Sequence, residues 1–164
     1  MTDLRIGSGF DVHRLVPGRR LFLCGVEIPF ELGLEGHSDA DAALHALADA
    51  LLGAVAHGDI GEHFPDSDPR WRGADSFDLL HRVWAMPVFG SWRIGNIDLT
   101  VIAERPKIAP YREQMRRRIA SAFDISPDQV SVKGTTTEGL GFTGRGEGIA
   151  AHCTVLLLPK QREG

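Results

Sequence analysis

Aspartate and histidine alternate in the segment Asp11-Val12-His13, and this spacing suits a metal site. In an extended segment, residues two apart project to the same side, so both side chains can bind one ion. His37 and His45 bracket the predicted start of a helix, and either is a candidate third ligand. Two histidines and one carboxylate leave one position of a tetrahedral zinc ion open, which is typical of catalytic rather than structural zinc. The alternative is a polar, solvent-facing helix beside an unrelated aspartate in a turn.

Two further carboxylates lie one helical turn on either side of His45, at Asp41 and Asp49. Residues four apart on a helix are neighbours on one face. A metal-bound imidazole usually donates its second N–H to a carboxylate or carbonyl oxygen, which fixes the ring. We therefore expect either Asp41 or Asp49 to orient the imidazole of His45.

The segment Gly58–Asp68 contains three aspartates, Asp59, Asp66 and Asp68. It follows the predicted end of a helix, and its carboxylates are suited to bind the hydroxyls of a polyol. The alternative is structural, because aspartates also stabilise turns of this kind without any ligand.

The segment Lys133–Gly148 is rich in threonine and glycine and follows a predicted strand. Its hydroxyls and backbone N–H groups suit phosphate oxygens, although it lacks the spacing of a Walker loop or a dinucleotide fingerprint. Within it, Glu138 is suited to a hard cation and Arg145 to an anion. The alternative is a glycine-rich surface loop. By its residues alone, Ala103–Ala109 is a strand-to-helix connection with one lysine.

Hydrophobic spacing predicts the elements that hold these residues. The predicted strands are Leu4–Gly9, Leu21–Phe30 as a bent strand or hairpin, Ile97–Ile102, Val130–Lys133 and Ile149–Leu158. The three predicted helices begin at Ser38 as N-cap, at Asp75 or Ser76, and at Pro110, and a loop is predicted over Gly61–Gly73. This order favours a single α+β domain over residues 1–164, an α/β sandwich in which about three helices cover a mixed sheet.

Composition limits the partners. The net charge of −4 gives no global attraction for nucleic acid or an anionic membrane, and no apolar run approaches the length of a membrane span. The first residues, Met1 to Arg5, lack the apolar core of a signal peptide, which predicts a cytoplasmic protein. Cys24 and Cys153 lie in apolar runs and are expected to be buried, reduced thiols.

Together these segments resemble the 2-C-methyl-D-erythritol 2,4-cyclodiphosphate synthase family. The matching stretches follow the order and spacing of the family over most of the chain. They are Arg5–His13, His37–His45, Gly58–Gly61 with Phe64–Asp68, and Thr135–Glu138 continuing through Gly141–Gly148. The sequence departs from the family pattern at Ser8, at Gly139, where a basic residue is common, and over Trp84–Trp92.

The resemblance implies a role for each segment. Asp11, His13 and His45 are similar to zinc ligands, Glu138 to a ligand of Mg²⁺ or Mn²⁺, and His37 with Thr136 to groups that stabilise the transition state. The implied substrate-binding residues of the first two segments are Asp11, Val12, His13, His37, Ser38, Asp59, Ile60, Gly61, Phe64, Pro65, Asp66, Ser67 and Asp68. Those of the later segments, which include the cytidine pocket, are Ala103, Glu104, Arg105, Pro106, Lys107, Ile108, Ala109, Gly134, Thr135, Thr136, Thr137, Glu138, Phe142 and Arg145.

The implied reaction belongs to the non-mevalonate route to isoprenoid precursors. The 2-phosphate of 4-diphosphocytidyl-2-C-methyl-D-erythritol 2-phosphate attacks the β-phosphate, the product cyclises, and CMP leaves. The family resemblance also implies a homotrimer with active sites between subunits, with Phe142, Arg145 and Glu147 near a central cavity that can hold an isoprenoid diphosphate. Two other functions remain open at this point: a zinc-dependent phosphate-ester hydrolase, and a non-catalytic trimeric protein that binds nucleotides or isoprenoid diphosphates.

Overall fold

The computed structural model describes residues 4–161 and has an α+β fold with one mixed sheet. The strands are β1 (Arg5–Pro17), β2 (Leu21–Leu23), β3 (Val26–Ile28), β4 (Leu32–Leu34), β5 (Trp92–Ile102), β6 (Val130–Thr135) and β7 (Gly148–Pro159). The helices are α1 (Ala42–Ala54), α2 (Ile60–His63), α3 (Ser76–Trp84), α4 (Arg112–Phe123) and α5 (Gly141–Gly144). The three longer helices are those predicted from the sequence, whereas α2 and α5 are single turns that were not predicted as helices.

The main sheet has the strand order β4-β1-β7-β5-β6. Its neighbours are antiparallel except for β5 and β6, which run parallel. This confirms the predicted mixed sheet. The predicted bent segment Leu21–Phe30 forms the separate β2–β3 hairpin, whose turn at Cys24 and Gly25 has positive φ angles.

Strand β1 extends well past Gly9, where the sequence analysis predicted its end. Gly7 and Gly9 lie inside the strand because they face α1 at very short range. A Cβ atom at Gly7 would lie 1.7 Å from the carbonyl oxygen of Ala50, and one at Gly9 would lie 1.9 Å from that of Ala46. The two glycines therefore allow close packing of strand and helix rather than ending the strand. The longer strand carries both Asp11 and His13.

Helix α1 begins three residues later than an N-cap at Ser38 would place it. The N-cap is Asp41, whose side chain accepts the backbone N–H of Leu44 at 3.0 Å. The same carboxylate accepts the N–H groups of Cys24 at 3.0 Å and Gly25 at 2.7 Å. Asp41 is fully buried, and burial raises its pKa to about 6 against the effect of these three donors. One side chain thus joins the start of α1 to the β2–β3 turn.

Replacing Asp41 by alanine should lower the free energy of unfolding by about 2 kcal/mol, because three buried N–H groups lose their acceptor and the helix loses its cap. This loss of free energy is smaller than the sum for three separate hydrogen bonds, because the variant no longer buries a charge. Urea unfolding with a chelator present measures it without a contribution from bound metal. The matched control is Asp78→Ala on the exposed side of α3, expected to change stability by less than about 0.5 kcal/mol. Equal stability of the two variants would contradict the prediction.

The helices pack on one face of the sheet, and the other face carries exposed apolar side chains. Alternate residues of β1 point away from α1, and Ile6, Phe10 and Val12 are 66%, 56% and 42% exposed. In β7, Leu156 is paired with Ile6 and His152 with Phe10 in the strand register. A row of large apolar side chains on an open sheet face is typical of a surface that another chain covers.

No helix within residues 4–161 is long and apolar enough to cross a membrane. Cys24 and Cys153 are buried and their thiols are free, in agreement with the expectation from sequence.

Candidate metal centre and adjoining cavities

Strand β1 and helix α1 bring Asp11, His13 and His45 together, with one ligand atom from each within 4.8 Å of the others. Nε2 of His13 lies 2.9 Å from Oδ2 of Asp11, and Nδ1 of His45 lies 3.2 Å from the same oxygen. The two ring nitrogens are 3.2 Å apart. Of the two histidines that were candidates for the third ligand, the structure brings His45 to the pair and leaves His37 across the cavity.

The donor set fits a metal ion. Three converging lone pairs on nitrogen and oxygen repel one another unless a proton or a cation lies between them. All three separations are well below about 4 Å, twice the usual zinc–ligand distance, so one ion can contact all three atoms. Nδ1 of His13 lies 2.7 Å from the carbonyl oxygen of Glu35, which leaves Nε2 free to face the other ligands.

The electrostatics also favour a cation here. Burial raises the pKa of Asp11, but the close approach of His13 and His45 together outweighs it and lowers the pKa from its usual 3.8 to about 2. Burial lowers the pKa of His13, but the hydrogen bond and charge of Asp11, together with the Glu35 carbonyl and the charge of Asp41, outweigh burial and raise that pKa. The carboxylate is therefore ionised at neutral pH and available to a metal.

The expectation that Asp41 or Asp49 orients His45 is wrong. The oxygens of Asp41 face backbone N–H groups, as described above, and Oδ1 of Asp49 accepts the N–H of Ile60 at 2.7 Å. Nε2 of His45 instead lies 2.9 Å from the hydroxyl of Ser76, at the start of α3. Helical spacing pointed to Asp41 and Asp49, but backbone N–H groups of other segments already bind both carboxylates.

The metal centre opens into a cavity of about 580 Å³. Its walls include the predicted site residues Asp11, His13, His37, Ser38, His45, Ile60, Gly61, Phe64, Pro65 and Asp66. Gly36, Trp71 and Leu79 also line it and were not predicted. Trp71 lies within the predicted loop, three residues after Asp68, and its ring packs edge-on against Phe64 with the ring centroids 4.9 Å apart.

His37 and the aspartates of the 58–68 segment have distinct surroundings. Nδ1 of His37 lies 3.5 Å from Oδ2 of Asp66, and both side chains are largely exposed to the cavity mouth. Asp59 caps α2 by accepting the N–H of Glu62 at 3.0 Å. Asp68 accepts the N–H of Arg70 at 3.0 Å and pairs with its guanidinium. Asp59 and Asp68 therefore have the turn-stabilising role that was the alternative to ligand binding. Neither of them lines the cavity, and the same holds for the predicted residues Val12 and Ser67.

A second cavity of about 260 Å³ lies where the parallel strands β5 and β6 end. Crevices at the carboxyl ends of parallel strands are common ligand sites. It is lined by Ala103, Glu104, Pro106, Lys107, Ile108, Ala109, Arg112, Gly134, Thr135 and Thr136. All but Arg112 were predicted. The guanidinium of Arg105 instead pairs with Glu31 at 3.1 Å.

The loop after β6 is held by Glu104, whose Oε1 accepts the N–H groups of Thr137 at 3.1 Å and Gly139 at 3.3 Å. Glu138 is exposed between them with a φ angle of +53°, and within residues 4–161 its carboxylate accepts a hydrogen bond only from the Thr136 hydroxyl, at 3.4 Å. Phe142 and Arg145 lie farther along, away from both cavities, and Arg145 pairs with Glu147 at 2.8 Å. The two cavities share no lining residue.

Comparison with known proteins gives consistent matches over the whole chain. Residues 4–158 match the YgbB family. The 2-C-methyl-D-erythritol 2,4-cyclodiphosphate synthase of Bacillus subtilis is 60% identical, over 93% of this chain and 97% of its own length. The protein of the same name from Trichlorobacter lovleyi is 57% identical, over 96% of this chain and 100% of its own.

Solved structures agree. The bifunctional IspDF of Campylobacter jejuni matches with a TM-score of 0.93 and 40% identity, over 98% of this chain and 44% of that larger one. A 2C-methyl-D-erythritol-2,4-cyclodiphosphate synthase in its CDP-bound form has a TM-score of 0.85 and 40% identity, over 93% of this chain and 99% of its own. The CDP complex of IspF from Plasmodium falciparum has a TM-score of 0.85 and 34% identity, over 98% of this chain and 99% of its own.

Proposed function

The chain belongs to the YgbB family, and from this premise we propose that it is a 2-C-methyl-D-erythritol 2,4-cyclodiphosphate synthase. It converts 4-diphosphocytidyl-2-C-methyl-D-erythritol 2-phosphate to the cyclic diphosphate and releases CMP. The observation that carries the proposal is the Asp11, His13 and His45 cluster opening into a large cavity, in a chain 60% identical to a curated synthase. We propose that all of residues 1–164 form this one domain and act in the cytoplasm.

In this proposal Asp11, His13 and His45 hold one zinc ion per subunit, and Glu138 holds a Mg²⁺ or Mn²⁺ ion with the substrate. Such ions neutralise phosphate charge and polarise the phosphorus centre when bound. The donor set described above suits zinc, because it combines two imidazoles with one carboxylate and leaves a side open to the cavity. The exposed carboxylate of Glu138 has the oxygen chemistry that a hard cation prefers.

The remaining residues place the substrate. The cavity wall over residues 60–66, with Asp59 beside it, faces the erythritol portion, and the second cavity takes the cytidine with Lys107 near the phosphates.

In the reaction, a bond forms between an oxygen of the 2-phosphate and the β-phosphorus, and the bond from that phosphorus to the α-phosphate oxygen breaks. His37 and Thr136 donate hydrogen bonds to the transferring phosphoryl oxygens. The nucleophile is already an anion, so the chain needs no strong general base.

We propose a homotrimer in which each active site combines the metal cavity of one subunit with the cytidine cavity of its neighbour. The two cavities lie apart within one chain, and neither alone has both the metal ligands and the nucleotide pocket. The open apolar face of the sheet, with Ile6 and Phe10 exposed, is suited to contact other subunits. Two family structures in which CDP is bound support a cytidine nucleotide as the ligand of the second cavity.

Mixing two inactive variants tests the shared site. His13→Ala disables the metal half and Lys107→Ala the cytidine half. If subunits of a 1:1 mixture exchange at random, about a quarter of all sites carry two intact halves, so activity should return to roughly that fraction of wild type. Each variant refolded alone is the control and should stay inactive. Demonstrated exchange, for instance by mass spectrometry of differently labelled subunits, without any recovery would contradict the shared site.

The proposed function is tested by the product. Purified protein is incubated with 4-diphosphocytidyl-2-C-methyl-D-erythritol 2-phosphate and Mg²⁺ in ¹⁸O-labelled water, and the products are identified by mass. A synthase gives CMP and a cyclic diphosphate without the label. A phosphate-ester hydrolase, the alternative from the sequence, gives an open product that carries the label, and a non-catalytic binding protein gives neither product.

We also propose that Phe142, Arg145 and Glu147 lie near the threefold axis and that the central cavity holds an isoprenoid diphosphate. Phe142 is 40% exposed, and with Glu147 it lines a cleft of about 210 Å³ beside β1. Three copies of Arg145 would face the diphosphate while apolar side chains face its tail.

A further inference from the structure

Ser76 connects the proposed metal centre to a carboxylate that the sequence analysis did not connect with it. Its hydroxyl lies 2.9 Å from Nε2 of His45, the ring nitrogen that faces away from Asp11. The same hydroxyl donates to Oδ1 of Asp39, and the backbone N–H of Ser76 donates to Oδ2 at 3.2 Å. Ser76 is only 1% exposed, so these contacts exclude water.

The chemistry of these groups fixes the direction of each hydrogen bond. An ionised carboxylate only accepts, so the single proton of the Ser76 hydroxyl goes to Asp39. The serine oxygen then presents lone pairs to His45, and Nε2 of His45 must donate to it. A neutral imidazole that is protonated at Nε2 carries its lone pair on Nδ1. Nδ1 is the atom that faces Asp11 and His13.

The other contact of this nitrogen is weaker. The hydroxyl of Ser38 lies 3.4 Å from Nε2 of His45 and already accepts the backbone N–H of Ala40 at 3.0 Å. A nucleophilic role for Ser76 does not fit its position, because its side chain is buried, its proton is directed to Asp39, and it does not line the cavity.

We propose that Asp39 and Ser76 are positioning residues that hold His45 in the Nε2–H tautomer, so that Nδ1 is always available to the metal. The inference rests on the metal centre of the proposed function. The proposal adds Asp39 and Ser76 to the three ligands of the centre. Through Ser76, the N-terminus of α3 contacts His45 on helix α1. Partners of this kind typically raise metal affinity 10- to 100-fold.

Zinc affinity, measured by competition with a chromophoric chelator, tests the proposal in the full-length protein. Ser76→Ala removes the acceptor for Nε2–H and should weaken zinc binding by about 10- to 100-fold. Asp39→Asn should weaken it by at least as much, because an amide that donates to Ser76 turns the hydroxyl proton towards His45 and favours the wrong tautomer. The matched control is Asp75→Ala, which removes the N-cap of the same helix without touching His45. It should lower the melting temperature and leave zinc affinity unchanged.

A second measurement needs no variant. In metal-free wild-type protein with ¹⁵N-labelled histidine, two-bond couplings should identify His45 as the Nε2–H tautomer. Wild-type protein that binds no zinc would refute the proposed metal centre itself. If the wild-type protein binds zinc, two results would refute the roles of Asp39 and Ser76 alone. One is that Ser76→Ala and Asp39→Asn bind zinc equally well, and the other is that His45 is in the Nδ1–H form. If either variant fails to fold, the tautomer of His45 in the wild-type protein decides whether Asp39 and Ser76 have these roles.

Discussion

Replacing His13 by alanine should remove zinc from the purified protein and lower kcat by at least about 10³-fold, or about 4 kcal/mol of barrier. Only two of three ligands remain, and the variant exposes the cavity side of the site to water. His13 contributes one hydrogen bond to the Glu35 carbonyl, so the chain should still fold. Metal content by emission spectrometry and turnover on the cytidine diphosphate substrate measure the two effects separately.

The matched control for His13 is His57→Ala. His57 is exposed, stacks on His63, and lies outside the cavity, so this variant should keep both its zinc and its activity. A His13→Ala protein that is free of zinc and fully active would show that the cluster is not the catalytic centre. A variant that retains zinc would show that other groups supply the third ligand.

Replacing Glu138 by glutamine should lower kcat by about 10²-fold or more, roughly 3 kcal/mol of barrier, with little change in stability or zinc content. Negative charge grows on the departing CMP as its bond to the β-phosphorus breaks. A carboxylate that binds a divalent cation there stabilises the transition state more than the ground state. The amide keeps the shape of the side chain and has the same tolerance for positive φ, but it binds cations more weakly.

The surroundings of Glu138 make this test clean. Its carboxylate is exposed and, in the part of the chain that the structure describes, accepts a hydrogen bond only from the Thr136 hydroxyl, whereas Glu104 holds the loop itself. Raised Mg²⁺ should restore part of the activity, because mass action offsets a weaker site. Glu113→Gln on the exposed face of α4 makes the same chemical change outside the loop and outside both cavities, and it should have no effect. Full activity of Glu138→Gln at low Mg²⁺ would mean that Glu138 stabilises the loop conformation and does not bind the cation.

The sequence predicted the residues of the candidate metal centre better than it predicted the residues that support them. Asp11 and His13 were recognisable because a spacing of two in an extended segment is a local property that any strand conserves. The choice between His37 and His45 was not local, because it depends on how closely α1 packs on β1. The family resemblance selected His45, and the described structure brings the same residue to the pair.

The partner of His45 could not be predicted from helical spacing. Asp41 and Asp49 are at suitable distances along α1, but backbone N–H groups of other segments already bind both carboxylates. The actual partner, Ser76, is thirty-one positions away in sequence, and only the packing of α3 on α1 places it there. The extent of β1 was underestimated for a related reason, since glycine in a strand signals either an end or a close approach, and only the tertiary structure distinguishes them.

The close approach at Gly7 and Gly9 also determines how finely the three side chains of the candidate metal centre are aligned. Two of them are on β1 and the third is on α1, so the spacing between strand and helix sets the distance between them. That spacing requires glycine at both positions, because the Cβ atom of any other residue would lie less than 2 Å from a carbonyl oxygen of α1. An enzyme engineer who randomises only the residues that touch the substrate would pass over these positions. Their tolerance to change should nevertheless resemble that of the ligands themselves, since a shift of half an ångström there is a shift of half an ångström at the ion.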